Sequence, residues 1–207
     1  MHSSEVIIPG QFGPINLELE LANFFSKVES ERSLLFLAVT AEESGLLGSE
    51  YFAEYPPVKL KNIVAGYNFD GVLPVGRTKD VIVVGYGASE LEDILKAELD
   101  KVGKYIVPDP QPEKGFFYRS DHISLAKKGV PMLYADGGVD KIEGGVEVGT
   151  KIANHYTEFD YHQASDEYQD SWDLSGFRDQ LIITGNMAEE LANSEMWPEW
   201  YEGNEFK

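Results

Sequence analysis

Two adjacent carboxylates, Glu42 and Glu43, directly follow the almost wholly apolar run 34–40. Like charges this close together cost free energy unless a cation lies beside them. A third carboxylate, Asp70, follows a second apolar run in the same way, and His162 lies in a polar stretch further along the chain. Carboxylates and an imidazole without thiolates are a ligand set suited to zinc, and also to manganese or cobalt. We therefore infer that a divalent metal ion is the cation that lies beside Glu42 and Glu43.

Adjacent glutamates can divide the work at such an ion, because one can bind it while the other takes a proton from water. Each residue alone has an ordinary alternative. A Glu-Glu pair fits a solvated turn, Asp70 before a glycine fits a turn residue, and a single histidine is more often a surface side chain. It is their shared position after buried strands that favours the metal site.

The elements that must position these side chains alternate between strands and helices. Strands are predicted at 33–40, 61–69, 80–84, 106–107 and 129–136. Helices are predicted at 15–28, 45–54, 89–102, 120–128 and 174–193. This alternation predicts an α/β sheet with helices on both faces, in which ligands bind beyond the carboxyl ends of the strands.

Three local patterns complete the description of the chain. Ser89 and Glu92 have the spacing of a capping box at the start of the third helix. The glycine-rich segment 137–149 is predicted to be a loop that precedes the polar stretch around His162. Residues 194–207 are predicted to form an acidic, aromatic tail.

The composition is that of one globular domain of 207 residues, with 43% hydrophobic and 26% charged residues. The net charge of −19 disfavours nucleic-acid binding, because it repels a phosphate backbone. The absence of cysteine excludes disulfides, thiolate metal sites and cysteine nucleophiles. No apolar run reaches the roughly 18–20 residues that a membrane span needs, and no signal peptide is recognisable at the start of the sequence.

Four sequence blocks in this order resemble the zinc aminopeptidases of metallopeptidase family twenty-eight, which also contains glutaminyl cyclases and carboxypeptidase relatives. The blocks are FLAVTAEESGLLGSEYF, NFDGV, FYRSDHISLAKKGVPMLY and YHQASDEYQDSW, and the resemblance covers about residues 15–192. It implies a three-layer α/β/α sandwich with a mostly parallel mixed sheet, of the phosphorylase or zinc-exopeptidase type. It also implies a zinc cofactor, a peptide substrate and an exported or periplasmic protein.

The resemblance also implies roles for individual residues. Glu42 resembles the general base that activates water, Glu43 resembles a ligand of one metal, and Asp70 resembles a ligand of a second metal. His162 resembles the histidine that binds the same metal as Glu43. A further segment resembles the substrate side of the site and contains Tyr118, Ser120, Asp121 and His122.

The chain departs from the family pattern before residue 15. Family members carry a His-x-Asp motif and then an aspartate that bridges the two metals, whereas MHSSEVIIPGQFGP contains neither. We therefore expect an N-terminally shortened domain with an irregular segment over 1–14, and one metal or weak occupancy. His2 is a disfavoured substitute ligand, because terminal residues are usually mobile. The strand at 34–39 is expected to be an apolar edge that can pair with another chain to form a homo-oligomer.

These observations support three hypotheses about function. The first is a metal-dependent exopeptidase of the aminopeptidase type, impaired in this short chain. The second is an inactive family member that acts as a binding or assembly module, through the sheet edge or the aromatic tail. The third is a glutaminyl cyclase. A shortened enzyme, a chain completed by another subunit and a pseudoenzyme are all consistent with the departure before residue 15.

Overall fold

A computed structural model of the chain describes residues 5–10, 15–71 and 73–207. Its strands are β1 (Glu5–Gly10), β2 (Ser33–Ala38), β3 (Ile63–Asn68), β4 (Asp80–Val84), β5 (Tyr105–Pro108) and β6 (Met132–Gly137). Its α-helices are α1 (Ile15–Phe25), α2 (Leu47–Glu54), α3 (Leu91–Val102), α4 (His122–Ala126), α5 (Gly145–Phe159) and α6 (Ser175–Ala192). Short 3₁₀ turns are formed by Leu60–Asn62, Pro112–Lys114 and Phe116–Tyr118.

The six strands form one sheet in the order β2-β1-β3-β6-β4-β5. All neighbouring strands are parallel except β4 and β6, which are antiparallel. The carboxyl ends of β2, β1, β3 and β6 therefore lie side by side at one edge of the sheet. This mixed, mostly parallel sheet confirms the predicted α/β architecture.

Two hydrophobic clusters pack helices against the sheet. The first joins α1, α3 and α6 to the sheet through side chains such as Leu21, Leu95 and Met187. The second joins α2 and α4 to the sheet through Phe52, Ile123 and Met132, among others. Each cluster buries the apolar stripe of an amphipathic helix, which is the main source of helix stability in a globular domain.

The prediction of an irregular segment over 1–14 was wrong for Glu5–Gly10, which forms β1. This strand lies between β2 and β3 and pairs in parallel with both, for example Val6 with Leu34 and with Ala65. The strand predicted at 34–39 therefore gains a neighbour on one side. Within the described sheet β2 is still an edge strand. Residues 1–4, with the candidate ligand His2, and residues 11–14 lie outside the described part of the chain.

Two local predictions also need correction. The glycine-rich segment 137–149 is not all loop, because α5 begins at Gly145. The capping box is not formed, since no side chain caps the start of α3. Instead, the carboxylate of Glu92 accepts hydrogen bonds from the backbone N–H groups of Gly87 and Ala88, at 2.7–2.9 Å. Glu92 thus stabilises the loop before the helix rather than the helix end itself.

The aromatic tail packs on the body of the protein. Trp200 is only 3% exposed and belongs to the second cluster, and Phe206 packs against it. Trp197 is about half exposed, with the Arg32 guanidinium near its ring. None of the helices in the described part of the chain is long and apolar enough to cross a membrane.

Candidate active site

The first part of the site is the tight turn that follows β2. Ala41 and Leu46 have left-handed backbone conformations, with φ of 59° and 60°. The N–H groups of Gly45 and Leu46 both donate to the carbonyl oxygen of Glu42, at 2.9 Å. Left-handed non-glycine residues cost free energy and cluster at functional sites. The turn therefore holds Glu42 and Glu43 in a fixed position at the carboxyl edge of the sheet.

The second part is His162, which lies beyond the end of α5. Its Nε2 atom lies 3.0 Å from Oε1 of Glu43, although the two residues are far apart in the sequence. His162 is also left-handed, with φ of 58°, and Tyr161 stacks on its imidazole with ring centroids 4.0 Å apart. Both side chains of the Glu43–His162 pair are more than half exposed, so solvent and solutes have access to the pair.

The third part is Asp70, which comes shortly after the carboxyl end of β3. Its Oδ2 atom accepts a hydrogen bond from the hydroxyl of Tyr134, at 3.1 Å. Tyr134 lies on the neighbouring strand β6, where it pairs with Asn68 of β3. The strand pairing therefore fixes the position of the donor, and the donor orients the carboxylate.

Electrostatics show that these parts surround one region. Partial burial, followed by the negative charges of Asp70, Glu43 and Glu42, raises the pKa of Tyr161, and Arg119 opposes this effect. All three carboxylates are thus close enough to one phenol to act on its ionisation. A tyrosine hydroxyl is ordinarily protonated at neutral pH and can donate a hydrogen bond, and the upward shift in the pKa of Tyr161 extends this state to more alkaline pH.

A fourth acid, Asp136, lies near the end of β6 and was not singled out from the sequence. Burial, followed by the charge of Asp70, raises the pKa of Asp136 well above its usual range. The polar side chains of Gln180 and Tyr134 oppose this shift. Burial and the neighbouring carboxyl group of Asp70 therefore both favour the protonated form of Asp136.

Sequence reasoning missed Tyr134, Asp136 and Tyr161. The rule that identified Asp70, an acid directly after an apolar strand, also applies to Asp136 after MLYA. Tyr161 precedes His162 in the sequence, and stacking of neighbouring rings could have been considered there. No sequence signal identifies Tyr134 as the partner of Asp70, because that contact depends on which strands are neighbours.

The segment expected on the substrate side is mostly buried. Ser120 is 1% exposed, and its hydroxyl accepts a hydrogen bond from Nδ2 of Asn68 at 2.7 Å. Asp121 is also buried. Tyr118 is 55% exposed, and its hydroxyl donates to Glu205. In the observed positions, only Tyr118 among the four candidate residues presents a large exposed side chain.

His122, the fourth candidate of that segment, is completely buried. Burial lowers its pKa to about 3, so the imidazole is neutral at physiological pH. Its ring contacts the rings of Phe117 and Tyr134 edge to face, at 4.6 and 5.2 Å. Neither ring nitrogen has a hydrogen-bond partner in the described part of the chain. His122 therefore packs against Tyr134 and is not accessible to solvent in the observed conformation.

The structure brings two of the candidate metal donors into direct contact. In the part of the chain that the structure describes, no group of three or more His, Asp or Glu side chains could hold a metal ion. Glu43 and His162 are two suitable donors in direct contact, and Asp70 is near enough for its charge to act on Tyr161, the neighbour of His162. Residues 11–14 read Gln-Phe-Gly-Pro in the sequence and contain no carboxylate or imidazole side chain.

The sequence of this chain matches the model of a known protein family. The model of peptidase family M28 matches residues 14–183, which is most of the chain. No functionally curated sequence matches the chain at a significant level.

Several solved structures share the fold. The LapA aminopeptidase of Legionella pneumophila superposes with a TM-score of 0.67 at 18% identity, over 94% of this chain and 53% of LapA. A Bacteroides vulgatus protein described as a Zn-dependent exopeptidase gives 0.57 at 16% identity, over 94% and 68% of the two chains. Glutaminyl cyclase from Porphyromonas gingivalis gives 0.56 at 12% identity, over 90% and 71%.

The chain thus spans about half the length of LapA. At these identities the structural similarity shows the fold, and the family match rests on the sequence. With most of its length matched by the family model, the chain belongs to peptidase family M28.

Proposed function

We propose that this chain is a metal-dependent exopeptidase of the aminopeptidase type, with a site that holds a single divalent ion. The observation that carries the proposal is the 3.0 Å contact between Glu43 and His162 beside Glu42 and Asp70. Family membership supports it, because M28 is a peptidase family. The expected substrate is a peptide with a free amino terminus, which a strongly acidic site favours through its positive charge.

The residues that would hold the ion are Glu43, His162 and Asp70. Zinc is the first choice for carboxylate and imidazole donors, and cobalt or manganese are alternatives. When bound, such an ion supplies polarisation of the scissile carbonyl and lowers the pKa of water to about 7. Glu42 is the group proposed to take the proton of the attacking water and to deliver it to the leaving amine.

Tyr161 and Tyr134 have supporting parts in this proposal. The hydroxyl of Tyr161 is protonated at neutral pH, as in any ordinary tyrosine, so it can donate a hydrogen bond to a substrate oxygen. Tyr134 fixes one oxygen of Asp70, which leaves the other oxygen for the cation. The proposed roles of Tyr161 and Tyr134 thus rest on the stacking of Tyr161 on His162 and on the hydrogen bond from Tyr134 to Asp70.

The test is zinc-dependent hydrolysis of an aminoacyl p-nitroanilide by the wild-type chain and two variants. Glu42→Gln is expected to lower kcat by about 10²–10⁴-fold, the usual contribution of a general base, with zinc binding retained. Glu50→Gln, an acid-to-amide change at an exposed position on α2, is the matched control and should leave kcat unchanged. Equal activity of wild type and Glu42→Gln would contradict the role of Glu42.

A second candidate function is a non-catalytic module on the same fold. It is favoured by the absence, in the described residues, of a three-ligand cluster. The partner surface would be the edge strand β2, through which a homo-oligomer can also form. The aromatic tail is a weaker candidate surface, because Trp200 is buried in intramolecular contacts. No turnover and no zinc uptake at saturating zinc would support this function over the first.

A glutaminyl cyclase is a third candidate. The fold similarity to the glutaminyl cyclase of Porphyromonas gingivalis supports it, although that similarity concerns the fold alone. The test is the cyclisation of a peptide with an N-terminal glutamine. The reaction is monitored through the disappearance of the peptide's primary amine. Cyclisation without hydrolysis of aminoacyl substrates would favour this candidate.

A further inference from the structure

The C-terminal segment 199–207, here called the strap, is fastened along the body of the protein. The N–H of Glu90 donates to the carbonyl of Glu199 at 3.0 Å, and the N–H of Tyr201 donates to the carbonyl of Ala88 at 2.9 Å. The buried indole of Trp200 donates to the carbonyl of Gly129 at 3.2 Å. These contacts fix the first half of the strap.

The second half of the strap reaches the loop 115–121, which contains three of the candidate substrate-side residues. The ring of Phe206 stacks on Phe117 with centroids 5.9 Å apart. Glu205 accepts a hydrogen bond from the Tyr118 hydroxyl. The Phe117 ring also fills the space beside Gly85, where an added Cβ would lie 2.2 Å from it. Phe117 is therefore held between the strap and the body of the protein.

From Phe117 a continuous set of contacts leads to the candidate site. Phe117 packs on His122, His122 packs on Tyr134, and the Tyr134 hydroxyl donates to Asp70. His122 has no hydrogen bond to hold it in the described part of the chain. Its position therefore depends on packing, and Phe117 and Tyr134 supply ring contacts on it.

We propose that the strap is a positioning element, which orders the loop 115–121 and, through Phe117 and His122, orients the Tyr134–Asp70 pair. The loop contains only a three-residue 3₁₀ turn, Phe116–Tyr118, and such segments open easily unless other contacts hold them. The strap supplies those contacts by the ring of Phe206 and the carboxylate of Glu205. The ordering of the loop is independent of any reaction, whereas its consequence for catalysis rests on the proposed peptidase function.

Amide hydrogen exchange tests the ordering directly. The N–H groups of Tyr118 and Arg119 donate to carbonyls within the loop, both at 3.0 Å, and their exchange reports its opening. Phe206→Ala is expected to speed this exchange about tenfold or more, with the amides of β3 unaffected. Phe206→Tyr keeps the ring and should restore the wild-type rate.

Glu205→Gln and Glu202→Gln form a matched pair of acid-to-amide changes within the strap. Glu205 contacts Tyr118, whereas Glu202 is highly exposed and pairs with Lys207. Only Glu205→Gln should speed exchange in the loop. Unchanged exchange in both Phe206→Ala and Glu205→Gln would overturn the proposal. A uniform rise over the whole chain would also overturn it, because the strap would then only stabilise the fold.

A kinetic experiment tests whether catalysis depends on the ordered conformation of the loop 115–121. If the wild-type chain hydrolyses aminoacyl p-nitroanilides, Phe206→Ala should lower kcat/KM by more than about threefold. Phe206→Tyr and Glu202→Gln should leave kcat/KM close to the wild-type value. Faster loop exchange with unchanged kcat/KM would overturn the positioning role. If wild type shows no hydrolysis, the peptidase function fails, and the exchange results alone then decide whether the strap orders the loop.

Discussion

Replacing Glu18 with glutamine is expected to stabilise the protein at neutral and alkaline pH. Glu18 lies in the first turn of α1 and is only 4% exposed. Burial raises the pKa of its carboxyl group from 4.5 to about 7, and a hydrogen bond from the backbone of Leu37 only partly opposes this shift. The folded protein therefore prefers the neutral acid, whereas the unfolded chain ionises it freely.

The sign of the effect follows from proton binding. Between about pH 4.5 and pH 7 the folded state binds more protons at Glu18 than the unfolded state, so stability falls as pH rises. Below that window both states are protonated and the penalty vanishes. A pKa difference of about 2.5, at about 1.4 kcal/mol per pH unit, gives a penalty that approaches about 3–4 kcal/mol well above pH 7. Glutamine stays neutral and avoids it.

The assay is urea unfolding of wild type and Glu18→Gln at pH 5 and pH 8. The stability of the variant relative to wild type should increase by about 2–3 kcal/mol between the two pH values. Glu20→Gln, an exposed change on the same helix, is the control and should show almost no such increase. The same pH dependence in both variants would refute the reasoning, because burial would then not be its cause.

Three further substitutions have defined expectations. Leu95→Ala removes a fully buried side chain of the first cluster and should cost about 2–5 kcal/mol in urea unfolding; a loss below about 1 kcal/mol would mean that this site is not well packed. Gly48→Ala places a Cβ 2.5 Å from the carbonyl oxygen of Thr40, so thermal unfolding should show a loss of about 1–3 kcal/mol. An unchanged melting temperature would contradict that close approach. Asp80→Asn weakens an acceptor of two backbone N–H groups before α5 and should cost about 1–3 kcal/mol. Hydrogen exchange of residues 139 and 140 should then increase, and unaltered protection there would contradict the role of this carboxylate.

The positions of the acidic residues of the site could be predicted from the sequence because they follow a simple pattern. Glu43 and Asp70 each follow an apolar strand, and parallel strands bring their carboxyl ends to one edge of the sheet. The contact between Glu43 and His162 could only be inferred by resemblance, since 162 lies beyond a helix that the pattern did not show. The Tyr134–Asp70 bond depends on the pairing of β3 with β6, which local sequence does not determine.

The two missed elements have separate physical reasons. Pro9 and Gly10 disfavour a strand, but in β1 both residues pair with β2, and the first half of the strand, from Glu5 to Ile7, also pairs with β3. The glycines of the segment 137–149 are typical of a loop, but Gly149 lies within α5 and packs closely against the backbone of Val139. A Cβ there would lie 2.0 Å from the carbonyl oxygen of Val139. Such close approach of two backbones depends on tertiary structure and cannot be recognised in composition.

The most direct measurement is an anomalous difference map at the zinc edge from crystals of the protein saturated with zinc. We predict one peak per chain, about 2.0–2.2 Å from Glu43 and His162 and close to Asp70. His162→Ala should abolish that peak. A map without a peak beside these residues at saturating zinc would contradict the proposal that this site holds a divalent ion.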